Sequence, residues 1–392
     1  MKDSLFPNHV LNGPINERLE YFYNEVSIQH RIAKNILDEI MEIIKCPGDK
    51  NIIYLIGPTG VGKTKLCEKI IVNVNSLWEE AMLEDFNLIP VISLIAPAPS
   101  RGNFSFKQLY KNLLESAQEP LVAYKMDGNG KRATEEAYEE AAKSCIKNRK
   151  IRVVIIDESQ HMAKVTSHRK VLDQLETLKS FIDSTEAIFI LSGTYNLAPC
   201  VSPSGQINRR SMIIHFHRYR KGKKCDKSGM QDVKIDFKDE YDEFVNIIMN
   251  FELRIPIKRK PDFNGIYELI YARSIGCVGI LKVWFFEALR KALNNGDETI
   301  TKEHLEMTAV EPQRCLTIAR EAIEGEQYLE YLMQGDNELY SLLNVNLDTQ
   351  ETHGEKNTNM NMEEKERSVN KHPGKRNVNR DSVGMKIGQG SV

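Results

Sequence analysis

The stretch IIYLIGPTGVGKTKL, residues 52–66, constrains the chain more than any other. Ile52, Ile53, Leu55 and Ile56 form a short apolar run rich in β-formers, which reads as a buried strand. Gly57, Gly60 and Gly62 then let backbone approach a ligand closely, and Lys63 and Thr64 open a segment with helical character. Strand, G-x-x-x-x-G-K-T and helix together make a phosphate-binding loop. Its backbone N–H groups cradle phosphate oxygens, and the helix N-terminus adds partial positive charge. The candidate nucleotide contacts are Gly57, Pro58, Thr59, Gly60, Val61, Gly62, Lys63, Thr64 and Lys65. Lys63 is placed to reach the β- and γ-phosphates, and the Thr64 hydroxyl to ligate magnesium.

Around that loop, apolar strands alternate with amphipathic stretches. Residues 15–45 have helical spacing, with Ile32, Ile36, Ile40 and Ile43 three or four apart. After the loop helix, which runs to about Trp78, come LIPVISLIAPAPS (88–100), a helix from Phe106 to about Gln118 and another from about Ala133 to Lys147. IRVVIIDESQH, the helix RKVLDQLETLKSFI, AIFILSGTY and SMIIHFHRY complete the alternation. Such a pattern predicts an α/β fold with a five-stranded parallel sheet covered on both faces. Ligands of open parallel sheets sit at the carboxyl ends of strands, where Gly57, Asp157 and Ser192 all fall. From about 237 to 310 the pattern is purely helical, with ITKEHLEM as its last capped helix. The expected organisation is an N-terminal segment and helix (1–50), a phosphate-loop core (51–225), a helical lid domain (226–343) and a polar tail (344–392). The tail is too poor in apolar residues to offset its ordering entropy and is expected to be disordered.

The 392 residues carry 53 Lys and Arg against 55 Asp and Glu, a net charge of −2, so any nucleic-acid surface must be local rather than global. Seven cysteines without a C-x-x-C pair fit a reducing cytosol and offer no zinc spacing. The polar opening MKDSLFPNHVLNG does not read as a signal peptide. No window holds 18 consecutive apolar residues, and no membrane partner is expected.

Further candidates lie at the strand ends. VVIIDE closes on Asp157, expected to hold magnesium with Thr64, and on Glu158, expected to polarise the attacking water. Ser192 and Thr194 end the fourth strand, which should lie beside the first. Either they sense the γ-phosphate or the attacking water, or they merely cap a strand. Arg209 and Arg210 precede the fifth strand, either as a solvated edge or as arginines that reach a neighbouring subunit's γ-phosphate. Lys282 follows two glycines at a helix start and is either a cation aimed back at the nucleotide or an exposed lysine. Arg101, Lys107 and Lys111 near the second strand, and Lys131 and Arg132 in the loop DGNGKR, are candidate DNA-phosphate contacts or solvated charges. A third basic cluster, HRYRKGKK, occupies 217–224. His161 and His168 lack metal partners at ligand spacing.

In order, GPTGVGKT, APAPS with the following F..LYKNLLES, VVIIDESQHM, LDQLETLKSF, LSGT and NRR resemble AAA+ ATPases of the TnsC/TniB type. These are transposition regulators, more distantly related to MuB. The resemblance covers about residues 15–310. It implies ATP and Mg2+ bound between subunits, assembly as a ring or filament around duplex DNA, and recruitment of a transposase beside a target-selection protein. ATP hydrolysis would drive disassembly. By position, Lys63 and Thr64 resemble the Walker A pair, Asp157 and Glu158 the Walker B pair, Ser192 and Thr194 the first sensor, and Arg209 or Arg210 the arginine finger. A second-sensor arginine is not evident, and the long tail departs from the compact TniB pattern. A helicase loader, a secretion-type ATPase, a small-molecule kinase and a nucleotide-gated scaffold are the alternatives.

Overall fold

Every residue of β1 (Ile52–Ile56) is buried, as a strand must be when helices cover both faces of its sheet. The structure, a computed structural model, describes residues 5–100, 102–120, 122, 133–163, 168–201, 210–225 and 234–333. Its main sheet has the order β2 (Val91–Ile95), β3 (Val153–Asp157), β4 (Ile188–Gly193), β1, β5 (Ser211–His215), with every pairing parallel. β4 lies beside β1, as the sequence implied, with Ile53 opposite Ile190 and Leu55 opposite Ser192.

Because side chains alternate along a strand, each strand feeds two cores. Ile53, Leu55, Val153, Ile155, Ile188 and Ile190 pack with α3 (Arg31–Lys45) and α4 (Lys63–Leu77). Ile52, Tyr54, Ile56, Val154, Ile156, Phe189 and Leu191 pack with α6 (Phe106–Ser116), α7 (Glu135–Asn148) and α8 (His168–Asp183). Two steps past Ile155 and Ile190 on the first of these faces stand Asp157 and Ser192. The period of two therefore aims both at the end of α4 that begins with Lys63 and Thr64.

The first core continues without a break into the C-terminal helices α9 (Lys238–Glu252), α10 (Tyr267–Ser274), α11 (Val278–Asn295) and α12 (Lys302–Thr308). Phe22 and Val26 carry this core on to α2 (Ile15–Asn24), which follows α1 (Asn8–Asn12), and Arg18 of α2 donates twice to the Pro256 carbonyl, at 2.8 and 2.6 Å. α5 (Glu79–Glu84) follows α4, and β6 (Lys223–Cys225) pairs antiparallel with β7 (Lys234–Asp236). Among the described residues no single helix is long and apolar enough to cross a membrane.

Two expectations are corrected. The helical spacing over 15–45 is split into α2 and α3, because the His30 ring caps α3 by accepting from Ala33 N. ITKEHLEM is not the last helix, since α13 (Pro312–Met333) follows it. Pro312 suits a first helical position, and Cys315, Ala322 and Leu329 repeat every seven residues as its buried stripe. The tail 344–392 lies outside the described residues.

His30 stands 3.0 Å from the Tyr219 hydroxyl, which donates to Glu243 at 2.8 Å. Burial pushes its pKa down to about 4, with Glu243 opposing. Between the free-histidine value of 6.5 and 4, the unfolded chain takes up a proton that the folded chain refuses, so stability falls as pH drops through that window. The gap is worth on the order of 3 kcal/mol. Thermal melts from pH 7 to 4 should show a steeper loss for the native chain than for His30→Gln; parallel curves would place the pH dependence elsewhere.

Candidate nucleotide-binding site

The loop between β1 and α4 is shaped by what packs behind it. Gly62 caps α4 at φ 117, a left-handed conformation open to glycine. On the other side α11 docks against the loop by its own N-terminus. Ile280 N donates to Gly60 O at 3.3 Å, and a Cβ on Gly279 would come within 2.5 Å of that oxygen. Gly279 is therefore a close-approach residue that lets α11 touch the loop. Leu66, Cys67, Ile70 and Val74 bury the inner face of α4 and fix its axis. Lys63 Nζ donates to Gly57 O at 2.9 Å and Pro58 O at 2.8 Å. Burial lowers the pKa of this ammonium, and the neighbouring carboxylates of Asp157 and Glu158 oppose the shift.

Asp157 binds three groups. Its Oδ2 accepts from Thr64 Oγ1 at 2.8 Å, while Oδ1 accepts from Ser192 Oγ at 2.8 Å and from Glu158 N at 2.9 Å. Glu158 is exposed and sits at φ 54, an unusual place for a residue with a Cβ. The Thr194 hydroxyl oxygen is buried, without a partner, at the same pocket.

These elements and α13 line an open cavity of about 1410 Å³. Thr59, Lys63, Asp157, Glu158 and Thr194 line one side, and Ile318, Glu321, Glu324 and Tyr328 of α13 the other. α13 is held there by Gly325, where a Cβ would meet the Tyr195 ring at 2.1 Å, and by the buried pair Arg218–Glu326 at 3.0 Å. Tyr195 in turn bonds His215 Nε2 at 2.9 Å. The part of this helix in the site was not expected from the sequence. Pro312 and the seven-residue stripe were the signals that could have found it.

The residues fit a magnesium-bound triphosphate. A hydroxyl and a carboxylate converge at Thr64 and Asp157, hard oxygen ligands suited to Mg2+. A glycine-rich turn faces a helix N-terminus and a buried lysine, and Thr194 offers an unpartnered hydroxyl. Among the described residues no group of three or more His, Cys, Asp or Glu forms a separate metal cluster. His161 Nδ1 lies 3.0 Å from the Ala96 carbonyl.

Other candidates lie apart from this pocket. Lys282 donates to the Tyr23 carbonyl at 2.8 Å, so its ammonium is turned to α2 rather than to the nucleotide loop. Arg210 precedes β5 at the amino end of the sheet, a full strand from the pocket, and pairs with Asp183 at 3.1 Å. Lys107 donates to the Ala133 carbonyl at 2.6 Å, and both Lys107 and Lys111 lie over the Tyr138 ring. Within the cluster at 217–224, three cations are paired. Arg218 is taken up by Glu326, Arg220 by Glu240 and Glu330, and Lys221 by Glu268. Arg101, Lys131, Arg132 and Arg209 lie outside the described residues.

Residues 46–201 match the family model described as an AAA domain. No curated protein matches the chain. Solved structures similar to it include the ORC2 protein of Aeropyrum pernix in ADPNP and ADP complexes, at 14% identity and TM-score 0.47, covering 74% of this chain and 70% of that one. The Walker-type ATPase PABY2304 of Pyrococcus abyssi is similar at 16% identity and TM-score 0.44, covering 82% of each chain. Drosophila ORC bound to DNA is similar at 12% identity and TM-score 0.46, covering 79% of this chain and 68% of that one. The chain has an α/β fold with a five-stranded parallel sheet, a stretch at 46–201 that is similar to AAA domains, and a helical C-terminal region.

Proposed function

We propose that the chain binds ATP with Mg2+ in this cavity and hydrolyses it. The observation that carries the reading is the convergence of Lys63, Thr64, Asp157 and Ser192 at the carboxyl ends of β1, β3 and β4. Lys63 now bonds two neutral carbonyls; phosphate oxygens are stronger acceptors for an ammonium, and its flexible stem lets it turn to them. Thr64 and Asp157 would hold magnesium, which supplies charge neutralisation on the phosphates when bound. Glu158 orients and polarises the attacking water, and the hydroxyls of Ser192 and Thr194 sense the γ-phosphate end. Lys63→Ala should weaken ATP binding and abolish hydrolysis. Glu158→Gln should bind ATP with native affinity and turn it over at least about 100-fold more slowly. Phosphate release by Glu158→Gln at the native rate would remove Glu158 from the water-activating role.

The finer reading is a DNA-binding regulator of transposition. On this reading the chain acts in the cytoplasm, assembles as a ring or filament on duplex DNA, and recruits a transposase and a target-selection protein. Its support is the run DESQH, LDQLETLKSF, SGT and NRR, which resembles the TnsC/TniB type. Arg210 lies too far from its own pocket to serve it, and a surface ion pair such as Arg210–Asp183 is worth no more than about 1 kcal/mol. It is therefore cheaply released towards a neighbouring copy. Arg209 and Arg210 are proposed to complete that copy's site. Arg101, Lys131 and Arg132 are proposed DNA-phosphate contacts, with Lys107 and Lys111 secondary because they are engaged with α7 and the turn before it. An Arg209→Ala, Arg210→Ala double variant should bind ATP yet hydrolyse poorly, and should regain activity when co-assembled with Lys63→Ala on duplex DNA. Absence of recovery in mixtures shown to co-assemble would rule out a shared site. Absence of ATP-dependent assembly on DNA would rule out the regulator.

A further inference from the structure

We infer that Gln160 is a positioning residue for the carboxylate of Glu158, an inference that rests on the hydrolytic reading above. Gln160 sits in the 3-10 turn Ser159–Met162, directly after β3, and is only 4% exposed. Its Oε1 accepts from Thr194 N at 3.1 Å. A backbone N–H can only donate, so this bond decides which end of the amide is oxygen. The nitrogen end then has to face Glu158, where Nε2 donates to Oε2 at 2.5 Å.

β4 is adapted to this arrangement. A Cβ on Gly193 would come within 2.7 Å of Gln160 Oε1 and 3.2 Å of Gln160 N. The strand must end in glycine for the amide to lie there. Glu158 needs such a partner. It is exposed, its backbone is left-handed, and a free glutamate side chain samples many rotamers. One side chain thus fixes Oε2 of Glu158 relative to Thr194 at the neighbouring strand end and leaves Oε1 for the attacking water. Misplacing a catalytic group by about 1 Å costs on the order of 100-fold in rate.

Steady-state ATP hydrolysis, equilibrium binding of a slowly hydrolysed ATP analogue and pH–rate profiles test the role. Gln160→Ala should lower kcat about 10- to 100-fold while KM and analogue affinity stay within about twofold. Gln160→Glu is nearly isosteric and keeps the acceptor for Thr194, so it serves even if the alanine variant folds poorly. It sets a second carboxylate against Glu158; the two cannot both ionise easily, so the acid limb of its profile should move up by about one pH unit or more. A purely structural role would change melting temperature and KM and leave that limb in place. Native kcat in Gln160→Ala, or an unshifted acid limb in Gln160→Glu, overturns the inference while the hydrolytic reading stands. Native hydrolysis by Glu158→Gln removes Glu158 from the water-activating role, and this inference with it, whereas absence of hydrolysis by the native chain overturns the hydrolytic reading.

Discussion

Asp157 is the residue on which the site depends. Its carboxylate accepts from Ser192 on β4, from Thr64 at the start of α4 and from the backbone of Glu158. Three elements distant in sequence therefore meet at one anion. The meeting follows from sheet register: Ile156 pairs with Leu191, so the next residues on each strand stand side by side. The period of two then turns both towards α4. A register slip of one residue would send Asp157 to the opposite face and dissolve the site.

The cavity is bounded by a second set of constraints, steric rather than electrostatic. Gly279 allows α11 to touch the nucleotide loop, and Gly325 allows α13 to lie on Tyr195. Glycine inside a helix costs about 1 kcal/mol relative to alanine, so its place in α13 is explained by the ring that occupies the missing side chain's space. The buried pair Arg218–Glu326 ties the same helix to the segment after β5. Since a buried charge without its partner is strongly unfavourable, this pair also defines where α13 can rest. The loop after β1, the end of β4 and the C-terminal helix are thereby mechanically connected.

Much of this was legible in the sequence because the signals are local. The glycine-lysine-threonine spacing, the apolar runs ending in Asp157 and Ser192, and the neighbouring of β1 and β4 all follow from short-range patterns. What was not legible depends on partners far along the chain. HRYRKGKK reads as a basic patch until Glu240, Glu268, Glu326 and Glu330 are seen to pair with Arg218, Arg220 and Lys221. Lys282 reads as a nucleotide sensor until the Tyr23 carbonyl, 259 residues away, is seen to hold its amine. α13 presents only a narrow buried stripe of Cys315, Ala322 and Leu329, too weak an apolar signal to mark it as part of a core.

We propose that one cavity, lined on one side by the loop after β1 and the strand ends and on the other by α13, takes a magnesium-bound nucleoside triphosphate. Amide hydrogen exchange with and without a slowly hydrolysed ATP analogue and Mg2+ tests it most directly. Coincident protection is expected at the loop and start of α4, at 157–160, at 192–196 and along the pocket-facing stretch of α13. Protection confined to the loop, with α13 exchanging at its nucleotide-free rate, would contradict it.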